Sequence, residues 1–250
     1  MGKQLQVKDE AKALAVVQAE DFSDYAHEVV DTTDVLIPKV LLMHGQSEKV
    51  LQGEKTQGEL VRSTDWVTLA PRNGQVEIIV FDVWKTWRVL ELADKKYEWR
   101  REEPLTPENA QLEWEFVEDG KQMRRDKVLN FYGVLADEAA SGNAFPLKVS
   151  FSRTSFKAGL KIADGYARAI MDQQPPTRQT WKLGSDFVNG AKERYFVFTV
   201  QPGAATTASQ REAVSVWKKR INAAKKTNSI KDHDIDEAPA TAPTTPSEDF

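Results

Sequence analysis

Three turn signals constrain the fold of this chain more than any other feature. Pro71-Arg72-Asn73-Gly74, Asp119-Gly120 and Asn189-Gly190 each stand between runs of β-branched and aromatic residues. Asn-Gly and Asp-Gly tolerate the positive φ angles of tight hairpin turns, so each signal is expected to tie two neighbouring runs into antiparallel strands. The pairs are 67–70 with 75–92, 112–117 with the run from Lys121, and 181–188 with 194–200. Further strands are expected at 145–151 and within 35–43, the latter followed by a polar loop over 45–58. Parallel βαβ repetition is absent. The expected class is therefore mainly β with minor α, a partly open antiparallel Greek-key barrel of the OB type with an inserted helix and a C-terminal helix.

The helices announce themselves by their spacing. Between 154 and 173, Leu160, Ile162, Ala163, Tyr166, Ala167 and Ile170 recur at helical intervals until Pro175-Pro176 stops the pattern. Ser209-Gln210-Arg211-Glu212 reads as a capping box opening a helix to about Lys226, with Val214, Trp217 and Ile221 on one face. Lys218, Lys219, Arg220, Lys225 and Lys226 make its later turns basic. Residues 9–20 read as a short alanine-rich helix carrying Leu14 and Val17. The expected organisation is an N-terminal arm over 1–34, an OB-like core over 35–203, a basic amphipathic helix over 204–231 and an acidic tail over 232–250.

Signatures of catalysis fail on inspection. Gly53 and Gly58 have the spacing of a phosphate loop, but Glu59-Leu60 stands where its lysine and hydroxyl belong. His27, His44 and His233 are scattered, so none forms a helical metal-binding pair, and no cysteine supplies a thiolate. Asp94-Lys95-Lys96 contains a nuclease-like Asp-x-Lys without the carboxylate partner that such a site needs. No enzyme activity, metal or cofactor is expected. No stretch approaches the roughly 20 apolar residues of a membrane helix, so a soluble, cytoplasmic protein without membrane contact is expected.

Aromatic residues interleaved with cations recur instead: Trp84-Lys85-Thr86-Trp87-Arg88, Tyr97-Glu98-Trp99-Arg100-Arg101 and Trp181-Lys182. Unpaired bases stack on flat rings while lysine and arginine neutralise phosphates, so this texture fits single-stranded nucleic acid. Trp84 and Trp87 are three apart and face opposite sides of an unbroken strand, which sends one of them to the core. A second candidate cluster, Lys148, Arg153, Phe156, Lys157 and Lys161, lies where a strand passes into a helix whose free N–H groups attract anions. Arg124 and Arg125 would extend the same basic track.

The tail carries six carboxylates and no lysine or arginine in nineteen residues, which leaves residues 1–231 with 34 cations against 32 carboxylates, a net +2. It cannot bury enough apolar surface to fold, yet it keeps its only large aromatic for the last position, in Ser247-Glu248-Asp249-Phe250. A tail of this kind behind basic-aromatic strands resembles the bacteriophage single-stranded DNA-binding proteins. The resemblance implies that Asp236, Glu237, Glu248, Asp249 and Phe250 dock replication or recombination proteins, that the core coats single-stranded DNA in replication and recombination, and that copies of the chain could associate. A DNA-processing nuclease or annealing recombinase, and a phage structural or assembly protein, are the alternatives.

Overall fold

The computed structural model describes residues 36–190, 194–226 and 231–232. The expected helix at 9–20 and the tail beyond Asp232 lie outside the described residues. The chain begins with four short strands, β1 (Leu36–Ile37), β2 (Val40–Leu42), β3 (Leu60–Arg62) and β4 (Thr68–Ala70), with one turn of helix, α1 (Glu48–Leu51), before β3. Next come β5 (Gln75–Ala93), β6 (Lys96–Pro104), β7 (Glu115–Glu118) and β8 (Lys121–Leu135). They are followed by α2 (Ala136–Ala140), β9 (Pro146–Ser152), α3 (Phe156–Met171), β10 (Gln179–Asn189), β11 (Arg194–Ala205), α4 (Ala208–Lys226) and β12 (Lys231–Asp232).

The long antiparallel pair β5 and β8 organises the molecule. With 19 residues at about 3.3 Å each, β5 stretches over about 60 Å and serves two assemblies in succession. Over its first residues it pairs with β10, which leads to β11, while β8 pairs with β9 on its far side. This end is a five-stranded body, β11-β10-β5-β8-β9. From Thr86 onward β5 pairs with β6 instead, and β8 takes β7 at its opposite edge. That end is a four-stranded arm, β6-β5-β8-β7. A separate sheet of β2, β3 and β4, and a parallel pairing of β1 with β12, complete the strand pairings.

Two hydrophobic cores flank the body. On one face Leu129, Phe131, Val149, Phe151 and Leu183 pack against Ile162 of α3 and against the small sheet. Close approach of α3 depends on two glycines, since a Cβ on Gly159 would lie 2.8 Å from Phe151 and one on Gly165 2.7 Å from the Trp181 ring. On the other face Ile79, Phe81, Tyr132 and Val134 meet Ile37, α2 and α4. Val214 and Ile221 of α4 are buried there, each contributing about 1.5–3 kcal/mol, and Trp217 donates its Nε1 hydrogen to the Ala144 carbonyl.

The mainly β, antiparallel character is as expected, but the sheet does not close into a barrel. Hairpins form at Asp119-Gly120, where both residues take positive φ, and between Asn189 and Arg194, which pair as strand residues. Pro71–Gly74 also turns, with Gly74 N–H donating to the Pro71 carbonyl at 2.8 Å, but β4 pairs with β3 rather than with β5. That turn passes the chain from the small sheet to the large one. The unforeseen hairpin joins β5 to β6 through Asp94 and Lys95, whose φ angles of +47° and +65° are adopted without a glycine. Helix α4 begins two residues earlier than the expected box: Thr207 Oγ1 accepts from Gln210 N–H, and Gln210 Oε1 accepts from Thr207 N–H. In α3, Leu160 and Ile170 face outward, because the buried stripe runs through Gly159, Ile162 and Ala169.

Candidate nucleic-acid interface

Cross-strand partners share a face, so the register sorts the side chains of the arm. Trp87, Val89 and Glu91 of β5 lie with Lys127, Arg125 and Met123 of β8, and with Phe116 and Glu118 of β7. Arg88, Leu90 and Leu92 lie on the opposite side with Asp126, Arg124, Trp99 and Tyr97. A bulge at Arg100 keeps Arg101 and Glu103 with the first group and Trp99 with the second.

The first group forms an inner face. The arm curls toward it until Arg101 on β6 reaches Glu118 on β7 with two hydrogen bonds of 2.7 and 2.9 Å, and Arg101 also pairs with Glu103 at 2.7 Å. The segment from 105 to 110 closes over the same side, where Trp87 Nε1 donates to Asn109 at 3.1 Å and Lys127 Nζ to the Ala110 carbonyl at 3.1 Å. Trp87 is 2% exposed as a result. Arg100 and then Lys121, at 2.6 and 3.0 Å, hold the Glu91 carboxyl below its ordinary range, and Arg101 does the same for Glu118. The Arg125 Cζ lies over Phe116, 3.5 Å from its ring centroid. A small cavity of about 220 Å³ between Glu91, Arg100, Arg101, Glu118 and Lys121 is lined by these paired charges. Trp87 is thereby buried within the arm, which corrects its expected role as a stacking contact, while Arg100 and Arg101, about 40% exposed, pair with carboxylates of the same arm.

The second group remains open. Trp99 and Trp114 are each 56% exposed, and the Arg124 guanidinium lies between Trp114 and Tyr97, 4.9 and 5.4 Å from their ring centroids. Both distances fall within the reach of a cation–π contact. Asp126, only 7% exposed, accepts the Nε–H of Arg124 at 2.9 Å through one oxygen and that of Arg153 at 2.5 Å through the other. Arg153 sits just after β9 with φ +48°, a left-handed backbone that costs a non-glycine residue on the order of 1–3 kcal/mol. Arg88, Glu102 and Glu115 share this face through the same pairing. Trp114 escaped the sequence reading because its chain neighbours are Glu113 and Glu115; the hairpin at Asp119-Gly120 was the signal that brings Arg124 beside it.

Further along the same face, in the body, Trp84 stacks obliquely on Tyr132 with centroids 4.4 Å apart, and α4 covers it. Lys148, 3% exposed, and Lys225 lie over the Trp84 ring at 5.5 and 4.7 Å, and Lys225 also pairs with Asp82. Trp84 and Lys148 are thus covered rather than presented. Trp181 belongs to the core under α3 and offers no ring to a base, contrary to expectation, while Phe156, at the start of α3, is partly buried against that core. Lys157 and Lys161 are exposed on α3, and Lys182 approaches Glu77 at 3.9 Å. Lys85 is exposed on the inner-face side of β5. Of the expected nucleic-acid contacts, the fold brings together Arg88, Tyr97, Trp99, Arg124 and Arg153. The expected docking residues Asp236, Glu237, Glu248, Asp249 and Phe250 lie outside the described residues.

Among the described residues, no cluster of three or more histidine, aspartate or glutamate side chains could hold a metal ion, and no helix is long and apolar enough to cross a membrane. Asp94 occupies the β5–β6 turn. Comparison with known proteins returns no matching family model, no matching curated protein and no matching solved structure.

Proposed function

We propose that this chain is a sequence-nonspecific single-stranded DNA-binding protein that coats and protects exposed strands in replication or recombination and docks partner proteins through its acidic tail. One observation carries the reading: two half-exposed tryptophans, Trp99 and Trp114, share the open face of the arm with Tyr97 and Arg124. Exposed rings at this density are costly to leave in water, and base stacking is the chemistry that uses them, at about 1–3 kcal/mol per base. The reading does not depend on an OB-type Greek-key path.

Charge refines the proposal. Arg88, Arg124 and Arg153 on the open face are matched by Glu102, Glu115 and Asp126. Stacking then supplies most of the affinity, and the salt dependence should be shallow, about −0.7 in log–log slope for each phosphate neutralised. Titrating the full-length protein with oligothymidine while following tryptophan fluorescence tests this, because stacked bases quench indole emission. Quenching by oligothymidine and little response to a blunt duplex are expected. Equal affinity for the duplex, or no quenching, would overturn the proposal.

A further inference from the structure

One carboxylate shared by two guanidiniums is the distinctive charge arrangement of the open face. Asp126 takes the Nε–H of Arg124 on one oxygen and that of Arg153 on the other. Each arginine is thereby held along its Nε edge, and no acceptor among the described residues meets the Nη atoms of either within hydrogen-bonding distance. The Arg124 plane is fixed a second time, by the rings of Trp114 and Tyr97. Arg153 keeps half of its side chain in solvent, on a backbone twisted into the left-handed region. Strained backbone of this kind concentrates at functional positions.

We infer that Arg124 and Arg153, oriented by Asp126, form a clamp for one backbone phosphate of a strand stacked on Trp99 and Trp114. Two guanidiniums and one carboxylate leave a single positive charge, which matches one phosphodiester. The outward guanidinium edges present paired N–H donors, the geometry that phosphate oxygens accept best. Asp126 never touches the ligand; it is a positioning residue. The inference rests on the function proposed above and adds to it where the phosphate sits and what holds the arginines in place.

The left-handed backbone makes the clamp testable. Glycine adopts that conformation without penalty. Arg153→Gly relieves the backbone strain but loses the bond to Asp126, so the melting temperature should change little, while oligothymidine binding should weaken about tenfold at low salt and the salt slope flatten by about 0.7. Asp126→Asn separates positioning from simple charge. Removing a negative charge near phosphate should tighten binding if Asp126 only opposes the ligand. Binding should instead weaken if Asp126 positions the arginines, because the amide keeps one acceptor and turns an N–H group toward the second guanidinium. Full-length wild-type and variant proteins titrated at several salt concentrations, with melting followed in parallel, decide the matter. An Arg153→Gly protein with undiminished affinity and slope, or an Asp126→Asn protein that binds more tightly, would refute the clamp while leaving stacking intact. A wild-type protein that does not bind oligothymidine removes the proposed function first, and the clamp with it.

Discussion

Trp87 and Trp99 look alike in the sequence, each followed by an arginine, and the fold assigns them opposite tasks. Trp87→Ala removes a ring that is 2% exposed together with its hydrogen bond to Asn109. Truncation of a buried aromatic side chain costs about 3–5 kcal/mol. For a domain of this size, about 2–4 °C of melting temperature is lost per kcal/mol, so the midpoint should drop by about 6–20 °C. Trp99→Ala removes a ring that is 56% exposed on the open face, where a substitution changes stability by about 0.5 kcal/mol or less. If Trp99 stacks on a base, about 1–3 kcal/mol of binding disappears, a rise in Kd of about 5- to 150-fold. The assay is a pair of measurements on each variant, thermal melting and oligothymidine titration. Affinity unchanged in both Trp99→Ala and Trp114→Ala would refute the stacking argument, and a Trp87→Ala protein that melts like wild type would refute the assignment of faces.

Thr207→Ala should cost about 1 kcal/mol by removing the cap of α4, measurable as a lower denaturant midpoint, and Ser209→Ala should cost less because the box closes through Thr207 and Gln210. The Glu91 and Glu118 carboxyls lie below their ordinary range in the folded arm, so the stability they confer is present above the unfolded value of about 4.3 and lost as pH falls through the lower folded value. Amide protection factors in β6 and β7 should therefore fall below about pH 4 before those in β9, and an unchanged order would refute the assignment. Deleting residues 233–250 should tighten oligothymidine binding at low salt, since a tethered polyanion competes with phosphate at high effective concentration, and removing Phe250 alone should spare that competition while losing a partner contact. DNA affinity that ignores the truncation at low salt, with no replication protein distinguishing the two forms, would make the tail inert.

The elements that were legible in the sequence are those whose cause is local. Asp119-Gly120 takes positive φ at both residues whatever surrounds it, so its hairpin could be read directly, and the hairpin of β10 with β11 was legible from the two runs that flank Asn189-Gly190. Residues 154–173 could be read as a helix because Pro175-Pro176 ends a helical periodicity. The outward facing of Leu160 and Ile170 could not, since a sheet chooses which stripe of a helix it covers. Asp94-Lys95 was illegible as a turn because it lacks the glycine that marks such turns, and only the pairing of β5 with β6 holds those two residues left-handed. The candidate site divides in the same way. Period-two alternation sends Trp84 and Trp87 to opposite faces, but the segment that closes over Trp87 and the helix that covers Trp84 arrive from distant parts of the chain.

Sequence by itself determined most of the longer strands, the turn at Asp119-Gly120 and the alternation of side chains along each strand, because backbone φ preferences and side-chain period act between near neighbours. Tertiary structure decided that β4 turns away from β5, that the sheet stays open, and that Trp99, Trp114, Arg124, Asp126 and Arg153 meet on one face. Those outcomes depend on which edges and faces are already occupied. Occupancy is settled by long-range strand pairing and by the burial of two cores at once, and no local window of residues contains it.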